Sequence, residues 1–434
     1  MKKRLVVVSL VCLIPALLFA QGSRESSATQ VTGNNEPVEL TALIDNGVAI
    51  DGFKAVVAAA EKKLNIKVNI EIRPGGNEGE SIVKTRLASG DMADIFDYNS
   101  GSLFQALDPV ENLVDLSDEP FVSRLDDTYK STITADGKVY GIPYSSTQGG
   151  AWLYNKKVFA KLGLTPPQTW AELIQDCEKI QVAGITPIIG SYKDAWTSQL
   201  IFLADEYNVL KAYPNFPEEF TKGTAKYATT KAGLRSWEKL YQSNKYLNKD
   251  YLATTYDNAL EMLVNGEGAM YPMLTQALSY IYQLYPDQIN DIGVFAQPGD
   301  DSSIAPGLTI WMPPSLYIPK GGKHIEWAKK FYDFYISDEG LAIYTAAIKP
   351  DGPYAIKNVK LPEDSYAGIL EMQQYFDKGL TVPALEFQSP LKGASSEQIT
   401  VQCGSNMKSA SECAAEYDKD VRKQAIQLGL PGWN

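Results

Sequence analysis

Histidine is nearly absent from this chain, since His324 is the single histidine among 434 residues. Ser-His-Asp and Cys-His nucleophiles need a histidine, and so does a zinc site with a histidine ligand. His324 follows a turn-like pair of glycines, so we expect a solvated residue at the start of a helix. The composition therefore argues against hydrolases of those types, and it predicts no catalytic residue of that kind.

Cysteine is also scarce, with four in the chain and none in a CxxC motif or a Cys/His cluster. That pattern argues against a metal site, and we expect neither a metal nor a cofactor. Cys403 and Cys413 close a short loop, and in an oxidising exported compartment we expect them to form a disulfide. Cys177 would remain as a buried thiol.

Long apolar runs are missing beyond the N-terminus. There, a basic start precedes an apolar run over Leu5–Leu18 and a small residue at Ala20. This pattern predicts a secretory signal peptide over residues 1–20, because the run is too short for a membrane span. The residues before Cys12 form a poor lipobox, so we do not expect a lipid anchor. Residues 21–36 are polar and aperiodic, which predicts a flexible tether.

An excess of basic residues is missing as well. The chain has 52 acidic and 40 basic residues and a net charge of −12, and no basic stripe stands out. Nucleic acid and anionic lipid are therefore not expected as partners. The acidity by itself indicates solubility.

From residue 38 onward, patterns typical of apolar strands alternate with patterns typical of amphipathic helices. The strand pattern at 38–44 is followed by a helix pattern with Phe53 and Val56 on one face, and residues 66–72 alternate with period two. This β-α-β order predicts an α/β fold with mostly parallel sheets flanked by helices. Ligands bind beyond the carboxyl ends of such strands. The segments that follow three of the strands are polar and largely uncharged, namely 45–46, 98–101 and 145–148.

Six segments occur in an order and spacing that resemble a known family. Together they resemble the extracellular solute-binding proteins of ABC importers, specifically the sugar-binding family 1 that includes maltose-binding protein. The segments are "LASGDMADIF" (87–96), "GKVYGIPY" (137–144), "WLYNKKVFAKLGLTPPQTWAEL" (152–173), "VNGEGAMYPM" (264–273), "EWAKKFYDFYISDEG" (326–340) and "EYDKDVRKQAIQLGLPGW" (416–433).

The resemblance implies a type II periplasmic-binding-protein fold with two α/β lobes, joined by crossing segments and closing by a hinge. By analogy, the chain crosses near 145–149, 273–277 and 312–316. We expect the N-terminal lobe to contain 37–146 and 277–313, and the C-terminal lobe to contain 147–276 and 314–434. The family also implies a periplasmic or cell-surface receptor, monomeric and without enzymatic activity, that delivers its ligand to a membrane permease.

The chemistry of a sugar selects candidate ligand contacts within these segments. Planar amides donate to and accept from hydroxyls, and aromatic rings cover the apolar faces of a sugar. Relatives often have Gly-x-Trp where this chain has Leu274-Thr275-Gln276, so the expected ring is replaced by an amide. The candidate ligand-binding residues are Asn46, Tyr98, Asn99, Ser100, Ser146, Gln148, Trp196, Gln276, Trp311, Asp351, Tyr354 and Phe387.

Two other functions stay open on the sequence alone. The same fold could bind a charged or polyol solute, such as a polyamine or a glycerol-phosphate-like compound, although the candidate segments are mainly neutral. A glycoside hydrolase would need paired carboxylates, and no segment places two of them in a convincing catalytic frame. A carbohydrate receptor is therefore the favoured interpretation.

Overall fold

Two mixed sheets organise the part of the chain that the computed structural model describes, residues 36–47 and 49–433. The predicted signal peptide and residues 21–35 of the predicted tether lie outside these residues. Among the helices in the described part, none combines the length and the apolarity that a membrane span requires.

The strands are short, and most of their residues are buried. In chain order they are β1 Val38–Asp45, β2 Ile66–Arg73, β3 Ile95–Tyr98, β4 Thr134–Ala135, β5 Lys138–Val139, β6 Gly141–Pro143, β7 Gln148–Asn155, β8 Thr186–Ile188, β9 Gly268–Leu274, β10 Ile292–Ala296, β11 Leu308–Trp311, β12 Ser315–Tyr317 and β13 Thr381–Pro383.

Helices cover both sheets. They are α1 Ala49–Leu64, α2 Gly76–Ser89, α3 Ser102–Gln105, α4 Pro109–Asn112, α5 Asp127–Thr132, α6 Lys156–Leu162, α7 Trp170–Val182, α8 Leu200–Leu203, α9 Glu206–Ala212, α10 Phe216–Thr221, α11 Lys231–Ser243, α12 Tyr256–Asn265, α13 Ala277–Leu284, α14 Ile325–Tyr335, α15 Asp338–Ala347, α16 Ala367–Asp377, α17 Ser396–Gly404 and α18 Ala410–Gln427. Short 3₁₀ turns lie at Pro120–Arg124, Ala195–Gln199, Asn244–Tyr246, Ile289–Asp291, Leu385–Phe387 and Pro431–Trp433.

Each sheet has one strand that runs against the others. The first sheet has the order β2-β1-β3-β12-β6, and β12 is antiparallel to both of its neighbours. The second sheet has the order β13-β11-β7-β9-β8, and β10 also pairs with β7, which is antiparallel to β9, β10 and β11. The predicted α/β class, with two mostly parallel sheets flanked by helices, is confirmed.

Local sequence signals explain the helices that flank the sheets. On α1, Phe53, Val56 and Ala60 are buried on one face, as their spacing predicts. The α7 helix begins with a capping box, in which the Thr169 side chain and Glu172 satisfy each other's backbone N–H groups. His324 lies at the start of α14 as predicted, and its Nδ1 is 3.2 Å from a carboxylate oxygen of Asp94.

Strand pairing corrects the expected lobe boundaries. The range 277–313 was expected in the N-terminal lobe, but β10 and β11 hydrogen-bond to β7 of the second sheet. The range 314–434 was expected in the C-terminal lobe, but β12 pairs with β3 and β6 of the first sheet. The prediction is wrong for these strands, because a short apolar strand carries no signal for which sheet it joins.

The chain passes between the sheets at three places. Two of them, 144–147 and 312–314, agree with the expected crossings. The third, 348–366, was not expected; it leads from α15, which packs on α1, to α16, which packs on β10. The crossing expected near 273–277 is wrong, since β9 before it and β10 after it both belong to the second sheet.

Cys403 and Cys413 are free, buried thiols in the structure, so the predicted disulfide is not formed there. The two side chains are neighbours, and their mutual hydrogen bond, together with burial, raises the pKa of Cys403. Cys177 is buried, as predicted, and burial raises its pKa.

Candidate functional site

Two amide side chains meet where the chain first enters the second sheet. Gln148 begins β7, is 9% exposed and lies opposite Trp311 of β11 in the strand register. Its Nε2 donates to Oε1 of Gln276, just before α13, at 3.2 Å. The Trp311 ring lies against Gly150, where a Cβ would be 2.4 Å from the indole. Three predicted site residues, Gln148, Gln276 and Trp311, are therefore brought together.

A network of hydrogen bonds ties the crossing segments to each other. The backbone N–H of Asp351 donates to Oγ of Ser146 at 2.8 Å, and Ser146 also forms an isolated β-bridge with Tyr354. Thr275 Oγ1 donates to the Asp351 carbonyl at 2.7 Å and accepts from the Gly149 N–H at 2.9 Å. The side chain of Ser146 is thus used to hold two crossing segments together.

The side chains of Asp351 and Tyr354 also have partners within the protein. Asp351 Oδ1 accepts a hydrogen bond from Ser279 Oγ. Burial raises the pKa of Asp351 to about 7, although the bond from Ser279 acts in the opposite direction. The Tyr354 hydroxyl lies 2.5 Å from Thr345 Oγ1. These two predicted site residues lie in the third crossing and contribute to its structure.

The carboxyl ends of β1 and β3 hold the predicted residues of the first sheet. Asn46 is exposed and Asn99 is half-buried. Tyr98 is buried; burial raises its pKa far above its ordinary value, and the nearby Glu80 carboxylate raises it further. Ser100 Oγ donates to the Pro313 carbonyl at 3.0 Å, so this side chain fixes the loop to the second crossing.

An ion-paired arginine supports this edge of the sheet. Arg73 Nη2 lies 3.0 Å from Asp97 Oδ2, and Nη1 lies 3.5 Å from Asp45 Oδ2. Burial and the Asp45 charge raise the pKa of Asp97 to about 7, although Arg73 lowers it. Asp45 Oδ1 accepts the Gly47 N–H at 2.6 Å. The group therefore holds the loop that carries Asn46.

The two lobes touch directly at Gly101. This residue has a φ of 71°, and a Cβ there would lie 2.5 Å from the Glu386 carbonyl oxygen and 2.7 Å from the Phe387 ring. The loop after β3 therefore packs against the turn Leu385–Phe387, which follows β13 of the second sheet. Phe387, a predicted site residue, lies beside the loop that carries Tyr98 and Asn99.

Charged residues that the sequence did not single out lie near this contact. Trp311 Nε1 donates to Glu386 Oε1 at 2.8 Å, and Lys392 Nζ donates to Glu386 Oε2 at 2.6 Å. Burial lowers the pKa of Lys392, but Glu386, Glu80 and Glu397 outweigh it, and the pKa is raised overall. Glu80 belongs to the first lobe and the others to the second. No motif or spacing relates these four positions, so sequence analysis had no signal for them.

A row of aromatic rings links Trp196 to the loop that carries Asn46. The Trp196 and Tyr256 centroids are 5.4 Å apart, and those of Tyr256 and Tyr280 are 5.5 Å apart. A Cβ on Gly47 would lie 3.6 Å from the Tyr280 hydroxyl. Trp196 is half-buried. Sequence analysis did not select Tyr256 and Tyr280, because aromatic residues on a helix usually pack against the rest of the protein.

The site therefore combines three kinds of group that suit a hydroxyl-bearing ligand. Gln148 and Gln276 offer amides, Trp311 and Phe387 offer rings, and Glu386 is paired with Lys392 and bonded to Trp311. In the described residues, no group of three or more His, Cys, Asp or Glu side chains could hold a metal ion.

Comparisons with known proteins agree with this architecture. The family model for bacterial extracellular solute-binding proteins matches residues 46–342. A multiple sugar-binding protein of Streptococcus mutans is 25% identical over 75% of this chain and 77% of its own length. A maltooligosaccharide ABC transporter solute-binding lipoprotein of Streptococcus pneumoniae is 27% identical over 78% of this chain and 77% of its own length.

Solved structures have the same fold. The solute-binding protein RafE in complex with raffinose superimposes with a TM-score of 0.72 at 21% identity, and the match covers 89% of this chain and all of that one.

Proposed function

Because the chain belongs to the family of bacterial extracellular solute-binding proteins, we propose that it is a receptor for a neutral carbohydrate. The ligand binds between the lobes and is delivered to an ABC permease. The observation that carries this proposal is the Gln148–Gln276 amide pair beside the Trp311 ring at the interlobe crossing. Sugar recognition needs paired donors and acceptors next to an apolar face, and these residues supply both.

The names of the similar proteins support a carbohydrate as the class of ligand. They describe a multiple sugar-binding protein, a maltooligosaccharide transporter component and a complex with raffinose. We propose that this chain also binds a carbohydrate, and we assign the class of ligand only.

The ion pairs in the site support a neutral ligand over a charged one. Glu386 is engaged by Lys392 and Trp311, and Asp97 is engaged by Arg73. A cationic solute such as a polyamine would have to displace Lys392 from Glu386 or Arg73 from Asp97, because burying a charge is costly unless it is paired. Membership of a family of solute-binding proteins supports a receptor that does no chemistry.

Hinge closure follows from the three crossings. The two short crossings and the segment 348–366 connect otherwise separate sheets, so bending there would close the lobes around a ligand. We propose that the receptor acts as a monomer.

Export is part of the proposal. A signal peptide over residues 1–20 would be cleaved near Ala20, leaving a protein without a lipid anchor in the periplasm or at the cell surface. The intact mass of the exported protein tests this. We expect a chain that starts near Gln21, and a diacylglyceryl group on Cys12 would contradict it.

A thermal-shift screen tests the ligand class. A ligand that binds only the folded protein raises its apparent stability, by about 2.7 kcal/mol at a concentration of 100 Kd. We expect a rise in Tm with at least one neutral mono- or oligosaccharide. A rise with spermidine or glycerol phosphate, and with no sugar, would contradict the proposal. Turnover of an oligosaccharide by the protein would contradict the receptor function itself.

A further inference from the structure

A cavity of about 830 Å³ lies outside the candidate site. Its walls come from α13, α15 and the third crossing, 348–366. Gln148, Gln276 and Trp311 do not line it, and Tyr354 is the single predicted site residue that does. The volume falls within the range of small-molecule sites, about 300–1,000 Å³.

Two tyrosines form one wall of this cavity, which we call the rear cavity. The rings of Tyr282 and Tyr366 have centroids 5.2 Å apart and planes inclined by 37°. Tyr282 is 43% exposed, so much of its ring is uncovered by protein. The exposed alanines Ala342 and Ala346 of α15 also line the cavity, and their side chains are small. An aromatic surface that faces open space is suited to the apolar face of a ring compound.

The carboxylates around the rear cavity are already paired. Lys349 Nζ donates to the Asp364 carbonyl at 2.8 Å and also to its carboxylate. Asp338 is paired with Arg124. A cationic ligand would have to displace one of these pairs, whereas a neutral ligand would not.

Uncharged hydrogen-bonding groups remain for a ligand. Gln283 and Asn358 line the cavity with amides. Tyr366 also lines it, although only 3% of the residue is exposed.

We propose that the rear cavity is a second binding site, which takes a neutral saccharide unit. The sugar packs one face on Tyr282, beside Tyr366, and bonds to the Gln283 and Asn358 amides. The third crossing, whose residue Tyr354 lines the cavity, separates this site from the amide pair at Gln148. Binding here does not require that the cleft bind sugar.

Ligand-detected NMR titration with raffinose tests the proposal on the full chain. We expect a binding step that Gln148→Ala leaves unchanged and that Tyr282→Ala weakens by about tenfold, as expected when one ring of a pair is removed. Tyr241→Ala is the matched control, since Tyr241 is also an exposed tyrosine, at 36%, and lies on α11. It should leave the step unchanged.

A second variant keeps the proposal testable if Tyr282→Ala does not fold. Ala346→Phe fills the cavity from α15 without removing either ring, and it should abolish the same step. The proposal is overturned if raffinose shows no step that depends on Tyr282 or Ala346. If the cleft does not bind raffinose, no binding step will depend on Gln148. That result is distinct from the absence of a step that depends on Tyr282 or Ala346.

Discussion

Gln148→Ala separates the ligand site from the fold more sharply than other single changes. The substitution removes the amide that donates to Gln276 at 3.2 Å, where β7 begins. It leaves the backbone pairing of β7 with β9 and β11 intact, because those bonds involve main-chain atoms only. The proposed ligand contact is thus removed while the strand that carries it stays.

The structure gives the expected size of two changes, one in the free energy of unfolding and one in the free energy of sugar binding. The Gln148–Gln276 bond is neutral, so its loss should cost about 1 kcal/mol of unfolding free energy. If the amide makes two hydrogen bonds to sugar hydroxyls, their loss costs about 1–3 kcal/mol of binding free energy. That corresponds to an increase in Kd of about 5- to 150-fold. The expected loss of binding free energy is therefore as large as the loss of unfolding free energy, or up to about threefold larger.

Isothermal titration with the sugar found in the thermal-shift screen measures the first effect, and thermal unfolding measures the second. Gln374→Ala is the matched control, because Gln374 is an exposed glutamine on α16. The reasoning is refuted if Gln148→Ala binds the sugar with unchanged Kd. It is also refuted if the control weakens binding equally.

Three further results are expected. Gly101→Ala should lower both Tm and sugar affinity, because the new Cβ meets the turn 385–387; Gly137→Ala, at a similar φ but with nothing within 4 Å, isolates the backbone cost, and equal losses would contradict the contact. Burial raises the pKa of Asp351 to about 7 in the folded protein, so the folded protein holds the proton more tightly and stability should fall as pH rises from about 4 to 7. Urea unfolding should show this decline reduced by about 3 kcal/mol in Asp351→Asn, and identical slopes would contradict it. The three buried thiols should resist DTNB in the folded protein and all react in denaturant; fewer reactive thiols in denaturant would indicate a disulfide instead.

The elements of the fold could be predicted because their signals are local. The alternation at 66–72 and the buried face around Phe53 each lie within one segment, and both appear as β2 and α1. Sheet membership is not local. β12 joins the first sheet through bonds to β3 and β6, which lie far from it in sequence. The lobe boundaries were wrong for that reason.

The candidate site shows the same contrast between residues with a local sequence signal and residues placed by long-range packing. Gln148 and Trp311 could be predicted because they follow or end strands at expected crossings, and the structure places them opposite each other. Glu386 and Lys392 could not, since their position depends on packing of the C-terminal segment against Trp311. Ser146 was expected to face a ligand, but its hydroxyl accepts a backbone N–H across two crossings. A polar residue in a hinge can serve either purpose, and sequence does not distinguish them.

A crystal structure of the protein with the sugar that raises its Tm most tests the central claim directly. We expect the sugar between the lobes, with a ring face on Trp311 and hydroxyls within about 3.2 Å of the Gln148 and Gln276 amides. A sugar bound elsewhere, with these two amides still bonded only to each other, would contradict it.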